Sequence, residues 1–142
     1  MEQAAGRAIR NFSHMGLLDP KERNVTLFLH ISALPDSHNK KSDNIGDYAL
    51  YQIEAGAQVI QVFDSWAGNL SPRDYDIFAA PYQKMVIDKI KKAHPEVPTI
   101  MYINKSGALL ERMAASGVDI ISLDWTVTIE EARKRIGDKV GI

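Results

Sequence analysis

The chain has 142 residues, 45% of them hydrophobic and 25% charged, with a formal net charge of −1. That balance describes a globular chain of one domain or less, since domains run about 100–200 residues. It excludes the basic footprint of a nucleic-acid or anionic-membrane binder, and the absence of cysteine excludes disulfides, cysteine-ligated zinc and thiolate catalysis.

No apolar run approaches the roughly 20 residues of a membrane-spanning helix. The opening MEQAAGRAIRNF lacks the apolar stretch of a signal peptide, and Glu2 does not suit an acid-poor transit peptide. Residues 1–41 show no sustained periodicity and are expected to be irregular, apart from an alternating stretch at 25–31 that predicts a strand. The polar PDSHNKKSDN that follows predicts a loop.

From residue 42 the pattern becomes regular. Residues 45–55 predict a helix closed by Gly56, where a left-handed conformation costs glycine little. Residues 58–64 predict a strand. Ser71-Pro72-Arg73-Asp74 has the form of a helix start, with serine at the cap, proline first and a carboxylate in the first turn. Pro81 then restarts a helix whose inner face is expected to be Tyr82, Met85, Val86, Ile90 and Ala93, closed by His94-Pro95. A strand at 99–103 precedes a helix at 108–116 that buries Leu109, Leu110 and Met113 ahead of Gly117. A strand at 118–123 precedes a helix begun by Thr128 and Glu131 at capping-box spacing and ended at Gly137. Residues 139–142 predict the start of a further strand.

Strands apolar on both faces, alternating with amphipathic helices, predict an α/β fold of parallel βαβ units. A (β/α)8 barrel and a doubly wound open sheet are the two candidate assemblies. A closed barrel takes roughly 250 residues, so a partial barrel of about three to four βα units is expected, from a chain truncated at both ends.

In parallel α/β folds the carboxyl ends of the strands form the site. Those positions hold Asp64-Ser65-Trp66, then Asn104-Lys105-Ser106-Gly107, then Asp124-Trp125-Thr126. Asp64 and Asp124 lie on strands separated by one other, so they can share a layer at the mouth; each equally suits the capping of its own turn. Ser65 lacks the G-x-S-x-G context of a nucleophile and fits better as a hydrogen-bond donor to an anionic ligand. Backbone N–H groups of residues 104–107 can also face an anion. Trp66 and Trp125 are expected to be packing residues. His14, His30, His38 and His94 show no metal-ligand spacing, so no metal is expected.

Three ordered segments, AGAQVIQVFDSWAGNLSP, PTIMYINKSGALLERM and GVDIISLDWT, strongly resemble the uroporphyrinogen decarboxylase family, most closely its plant and bacterial members, over residues 47–142. The resemblance implies a homodimeric, distorted (β/α)8 barrel that needs no cofactor. It also implies removal of carboxyl groups from the acetate side chains of uroporphyrinogen III to give coproporphyrinogen III, in haem and chlorophyll biosynthesis. In that chemistry a protonated pyrrole carbon is the electron sink, carbon dioxide leaves, and the side chain is reprotonated as methyl. The family's FDS serine contacts a substrate carboxylate and its phenylalanine lines the cleft, which maps substrate binding onto Ser65 and Phe63, with Asp64, Asn104 and Asp124 as further lining residues.

The family's arginine-rich motif, the aspartate that follows it and the C-terminal histidine have no counterpart among these residues. No catalytic residue is therefore assigned, and negligible decarboxylation by the chain itself is expected. The resemblance makes cytoplasm or chloroplast stroma the expected location. Two alternatives remain: a non-catalytic product that associates with full-length enzyme, and a cobalamin-linked methyltransferase of the same barrel, whose cysteine and histidine zinc ligands the absence of cysteine disfavours.

Overall fold

Four short strands lie side by side in one parallel sheet, in the order in which they occur along the chain. The structure is a computed structural model that describes the backbone of Thr26–His30 and residues 38–142, and the side chains of residues 43–142. Its elements are β1 (Thr26–His30), α1 (His38–Glu54), β2 (Val59–Phe63), α2 (Pro72–Phe78), α3 (Ala80–Ala93), β3 (Thr99–Tyr102), α4 (Leu110–Ala114), β4 (Ile120–Ser122) and α5 (Ile129–Ile136). Single 3₁₀ turns, Ala67–Asn69 and Ser106–Ala108, follow β2 and β3.

The register is continuous across the sheet. Leu29 pairs with Val62, Val62 with Met101, and Met101 with Ile121. Past β4 the chain returns once more: Gly141 bridges to Ile120 in parallel, and Ile121 N–H donates to the Gly141 carbonyl at 2.9 Å. This is the strand start expected at 139–142.

Strand order decides the layering. Parallel crossovers are right-handed almost without exception, and successive crossovers that all step the same way set their helices on one face of the sheet. The alternation of burial agrees. Ile60, Val62, Thr99, Met101 and Ile121 are buried, and the apolar ones share one core with Val86, Ile87 and Ile90 of α3, Leu110 and Met113 of α4, and Ala132 and Ile136 of α5. The residues between them, Val59, Gln61, Phe63, Ile100, Tyr102, Ile120 and Ser122, face the other way and are half-buried. Phe63 and Tyr102 meet there, ring centroids 5.4 Å apart and planes tilted by 55°.

Local signals explain the helix ends. Ser71 accepts from the Asp74 N–H at 3.1 Å with Pro72 first in α2, and Thr128 accepts from the Glu131 N–H at 3.2 Å. Gly56, at φ 104°, closes α1 in the region where side chains are strained. Pro81 sits in the first turn of α3 and separates it from α2, because proline has no N–H to continue the preceding helix.

The structure departs from the sequence reading in two places. The loop expected at PDSHNKKSDN is helical from His38 onward; Asp43 and Asn44 are exposed, and Asp43 meets the Lys89 ammonium, a polar contact that needs no apolar period. The inner face of α3 is Gln83, Val86, Ile87 and Ile90, while Met85 and Ala93 are exposed and Tyr82 is half-buried. A polar residue takes the core position because it has polar partners there, described below. The strand expected at 25–31, within the otherwise irregular segment 1–41, is present as β1 and pairs to β2; residues 1–25 and 31–37 lie outside the described residues.

At the amino ends of the strands Asp119 accepts from the backbone N–H (2.7 Å) and hydroxyl (2.8 Å) of Thr99, and Lys91 approaches it at 2.5 Å. On the helix layer, Arg135 makes paired 2.7 Å bonds to both oxygens of Glu111 and a third, at 2.6 Å, to the Gly107 carbonyl. Hydrogen bonding from that guanidinium holds the Glu111 carboxyl down from 4.5 to about 2. A depressed carboxylate stabilises the fold above its unfolded value, because the unfolded chain then takes up the proton first. The Glu111 contribution is therefore complete above about pH 4.5 and lost as pH falls toward about 2; half-exposure and solvent screening keep it modest. Urea midpoints measured across that window should fall more gently in Arg135→Met than in the parent chain. Parallel slopes would remove the pair from the account of acid sensitivity.

Candidate functional site at the strand carboxyl ends

Three loops leave the carboxyl ends of β2, β3 and β4, and they are bound to one another. The contact between the first two is steric. Gly68, in the 3₁₀ turn after β2, lies directly against the Asn104 carbonyl oxygen; a Cβ there would overlap that oxygen and come within 2.9 Å of the Asn104 carbonyl carbon and 3.2 Å of the Lys105 oxygen. Lys105 Nζ then donates to Asn69 Oδ1 at 3.1 Å.

The second and third loops are joined by a carboxylate. Lys105 holds a left-handed conformation, φ 60° and ψ 40°, the one such residue other than glycine among those described. Its backbone N–H donates to Asp124 Oδ2. The other Asp124 oxygen accepts from the Thr126 N–H at 3.1 Å and hydroxyl at 2.5 Å. Gly107 N–H donates to Thr126 Oγ1 at 3.2 Å, and a Cβ on Gly107 would press on that hydroxyl. Partial burial acts to raise the Asp124 pKa, but hydrogen bonds from Thr126, Lys105 and Ser106 outweigh it and hold the carboxyl below the ordinary value. Within residues 104–107, the N–H groups of Lys105 and Ser106 face the Asp124 carboxylate, an anion of the chain itself, and that of Gly107 faces the Thr126 hydroxyl.

Asp64 behaves differently. Its position continues the Ile60–Val62 side of β2, so its side chain enters the helix layer and is only 8% exposed. Gln83 Nε2 donates to Asp64 Oδ2 at 2.8 Å, and Tyr75 Oη donates to Gln83 Oε1 at 2.5 Å. Tyr75 and Gln83 are fully buried. Burial first, and the nearby Asp64 charge second, push the Tyr75 phenol well above its ordinary range, so it is a protonated donor at neutral pH.

Asp64 and Asp124 are therefore not brought together: one carboxylate is held by α3, the other by the β3 and β4 loops. Ser65 and Phe63 are adjacent at the end of β2, Ser65 half-buried in the turn closed by the Ala67 N–H to the Asp64 carbonyl at 3.0 Å. Asn104 is half-buried at the end of β3 with its carbonyl against Gly68. Trp66 and Trp125, expected as packing residues, are 74% and 85% exposed; both sit in turns beyond the strand ends, where no helix covers them. Sequence reading missed Tyr102 and Ser122, which stand in register beside Phe63 on the half-buried face. Extending the inside–outside alternation of β2 across β3 and β4 would have found them. Among the described residues, no group of three or more histidine, aspartate or glutamate side chains is arranged to hold a metal, and no helix is long and apolar enough to cross a membrane.

The family model described as "Uroporphyrinogen decarboxylase (URO-D)" matches residues 33–142. The chain is 62% identical over 112 residues to the uroporphyrinogen decarboxylase of Prochlorococcus marinus strain MIT 9515, a match that covers 76% of this chain and 32% of that protein. It is 65% identical over 99 residues to the enzyme of strain MIT 9215, covering 70% and 29%, and 62% identical over 98 residues to that of Picosynechococcus sp. strain PCC 7002, covering 69% and 28%. The chain thus spans about a third of the length of these relatives.

Proposed function

The chain belongs to the uroporphyrinogen decarboxylase family, and we propose that it supplies part of the substrate-binding wall for decarboxylation of uroporphyrinogen to coproporphyrinogen. The observation that carries this reading is the end of β2. There Phe63 lies on the half-buried sheet face, Ser65 follows in a fixed turn, and the loop that contains them is locked through Gly68 to the next strand's loop. A preorganised hydroxyl is suited to receiving a substrate carboxylate, and an aromatic face is suited to a tetrapyrrole. The half-buried row Phe63, Tyr102 and Ser122 becomes the inner wall of a partial (β/α)8 barrel made by residues 42–142. Consecutive parallel strand order favours that over a doubly wound sheet, whose order reverses at a switch point.

The carboxylates at the strand ends take supporting parts. Asp124 holds the β3 and β4 loops in place, Asp64 anchors the base of the Ser65 turn, and Asn104 lines the wall between them. No cofactor is invoked, since the protonated pyrrole of the substrate serves as the electron sink. The whole protein is a homodimer of cytoplasm or plastid stroma in this reading.

Uroporphyrin, the oxidised form of the macrocycle with the same carboxylates, provides a stable probe. Fluorescence titration should show binding by the purified chain, weakened about tenfold in Ser65→Ala, the scale of one lost hydrogen bond to a charged group. Equal affinity in the two would remove Ser65 from the site. No coproporphyrinogen is expected from uroporphyrinogen incubated with the chain alone, because the arginine-rich motif and the aspartate that the family uses are not among its residues; turnover would contradict that assignment of roles.

A further inference from the structure

We propose that Gln83 is a positioning residue for the carboxylate-binding turn: held by Tyr75, it fixes Asp64 in the helix layer and so sets where Ser65 presents its hydroxyl. The proposal rests on the reading of Ser65 as a carboxylate ligand, and adds two residues that neither motif nor resemblance marks.

The argument starts from donor and acceptor types. Asp64, when ionised, only accepts hydrogen bonds, and a side-chain amide offers one donating and one accepting end. The amide of Gln83 can therefore serve Asp64 only with its nitrogen toward the carboxylate, as seen at 2.8 Å. Nothing intrinsic to glutamine enforces that orientation. The acceptor-only carboxylate does, and Tyr75 completes the arrangement by donating its hydroxyl to the Gln83 oxygen at 2.5 Å; a flipped amide would set oxygen against carboxylate, and the phenol would have to accept instead of donate. The break at Pro81 between α2 and α3 is what allows Tyr75, eight residues earlier, to reach this amide.

Asp64 is in turn the last residue fixed before the turn. Its N–H donates to the Tyr102 carbonyl at 3.0 Å, and its carbonyl accepts from the Ala67 N–H at 3.0 Å. The Gln83 bond adds a third restraint, on the side chain. With it, the carboxylate is tied to α3 and the direction in which the chain enters Ser65 is set; without it, that tie between the turn and the helix layer is lost. Sites need their supporting groups fixed to fractions of an ångström, and a buried, hydrogen-bonded chain of three side chains suits that purpose.

The test uses the full chain and four variants: Gln83→Leu, Gln83→Glu, Tyr75→Phe and Ser65→Ala. Two readouts are taken, amide ¹H–¹⁵N shifts of Ser65 and Trp66 without ligand, and uroporphyrin affinity. Gln83→Leu should move both amides and weaken binding about tenfold, and Tyr75→Phe should do so by a few fold. Gln83→Glu is the diagnostic case. Its protonated carboxyl reproduces the pattern of the amide, a donor for Asp64 and an acceptor for Tyr75, so affinity relative to the parent at the same pH should recover as pH falls and the introduced group takes up its proton. A role in stability alone would give no such recovery. Unmoved Ser65 and Trp66 amides in Gln83→Glu and Tyr75→Phe would overturn the proposal whatever the ligand does, and Gln83→Glu keeps the test open if Gln83→Leu does not fold. Parent-like binding by Ser65→Ala, with those amides displaced in the Gln83 variants, would instead reject the reading of Ser65 and leave the positioning intact.

Discussion

Gly68→Ala is expected to lower the unfolding free energy by about 3 kcal/mol, at the upper end of the usual cost of overpacking. The reason is the identity of the neighbour. An added methyl would overlap the Asn104 carbonyl oxygen and crowd Lys105, and both are backbone atoms of a loop already fixed by Asp124. A side chain could swing aside; a peptide group held at both ends cannot. By contrast an added Cβ on Gly56 would meet nothing within 4 Å, and the requirement there is the positive φ alone. The two glycines thus separate space from conformation. A shift of the urea midpoint equivalent to less than about 0.5 kcal/mol would mean that the loops after β2 and β3 are not packed as described.

The second large effect concerns the buried polar chain. Gln83→Leu removes the donor to Asp64 and the acceptor for Tyr75 together, leaving a buried hydroxyl unsatisfied and a buried carboxylate short of a donor. Such groups cost about 1–3 kcal/mol each, more when charged, so a loss of about 3 kcal/mol or more is expected. Tyr75→Phe should cost about 1–2 kcal/mol, because only the Gln83 oxygen loses its partner. The double variant should cost less than the two singles added, since each single already breaks the same bond. Additive losses in a urea double-mutant cycle would show that the three side chains do not act as one unit.

The sequence carried much of the architecture because its signals are local. Ser71, Pro72 and Thr128 begin helices through their own backbone neighbours, and Gly56, Gly117 and Gly137 end elements with positive φ; none of these needs a distant partner. Strand ends were legible for the same reason, as the point where Val59–Phe63 gives way to Asp64 and Ser65. What the sequence hid is non-local. Gln83 is hydrophilic and Met85 is not, so periodicity alone puts Met85 inside; Gln83 is buried because Asp64 and Tyr75 approach it from other elements. Asp64 and Asp124 look alike at two strand ends, yet one meets α3 and the other the neighbouring loop. Gly68 reads as an ordinary turn glycine until the Asn104 carbonyl is beside it. Resemblance to a family adds meaning to Ser65 and Phe63, but the supports of those residues emerge only from the packing.

The central claim is that the carboxyl ends of β2, β3 and β4 form one bound rim that receives the carboxylates of a tetrapyrrole. Titrating the ¹⁵N-labelled chain with uroporphyrin tests it most directly. The account predicts that the perturbed amides cluster at residues 63–69, 104–107 and 124–126, with Ala57, Val97 and Val118 at the opposite ends of the strands unmoved. Shifts centred on those amino ends, or scattered over the outer faces of α1, α3 and α5, would contradict it.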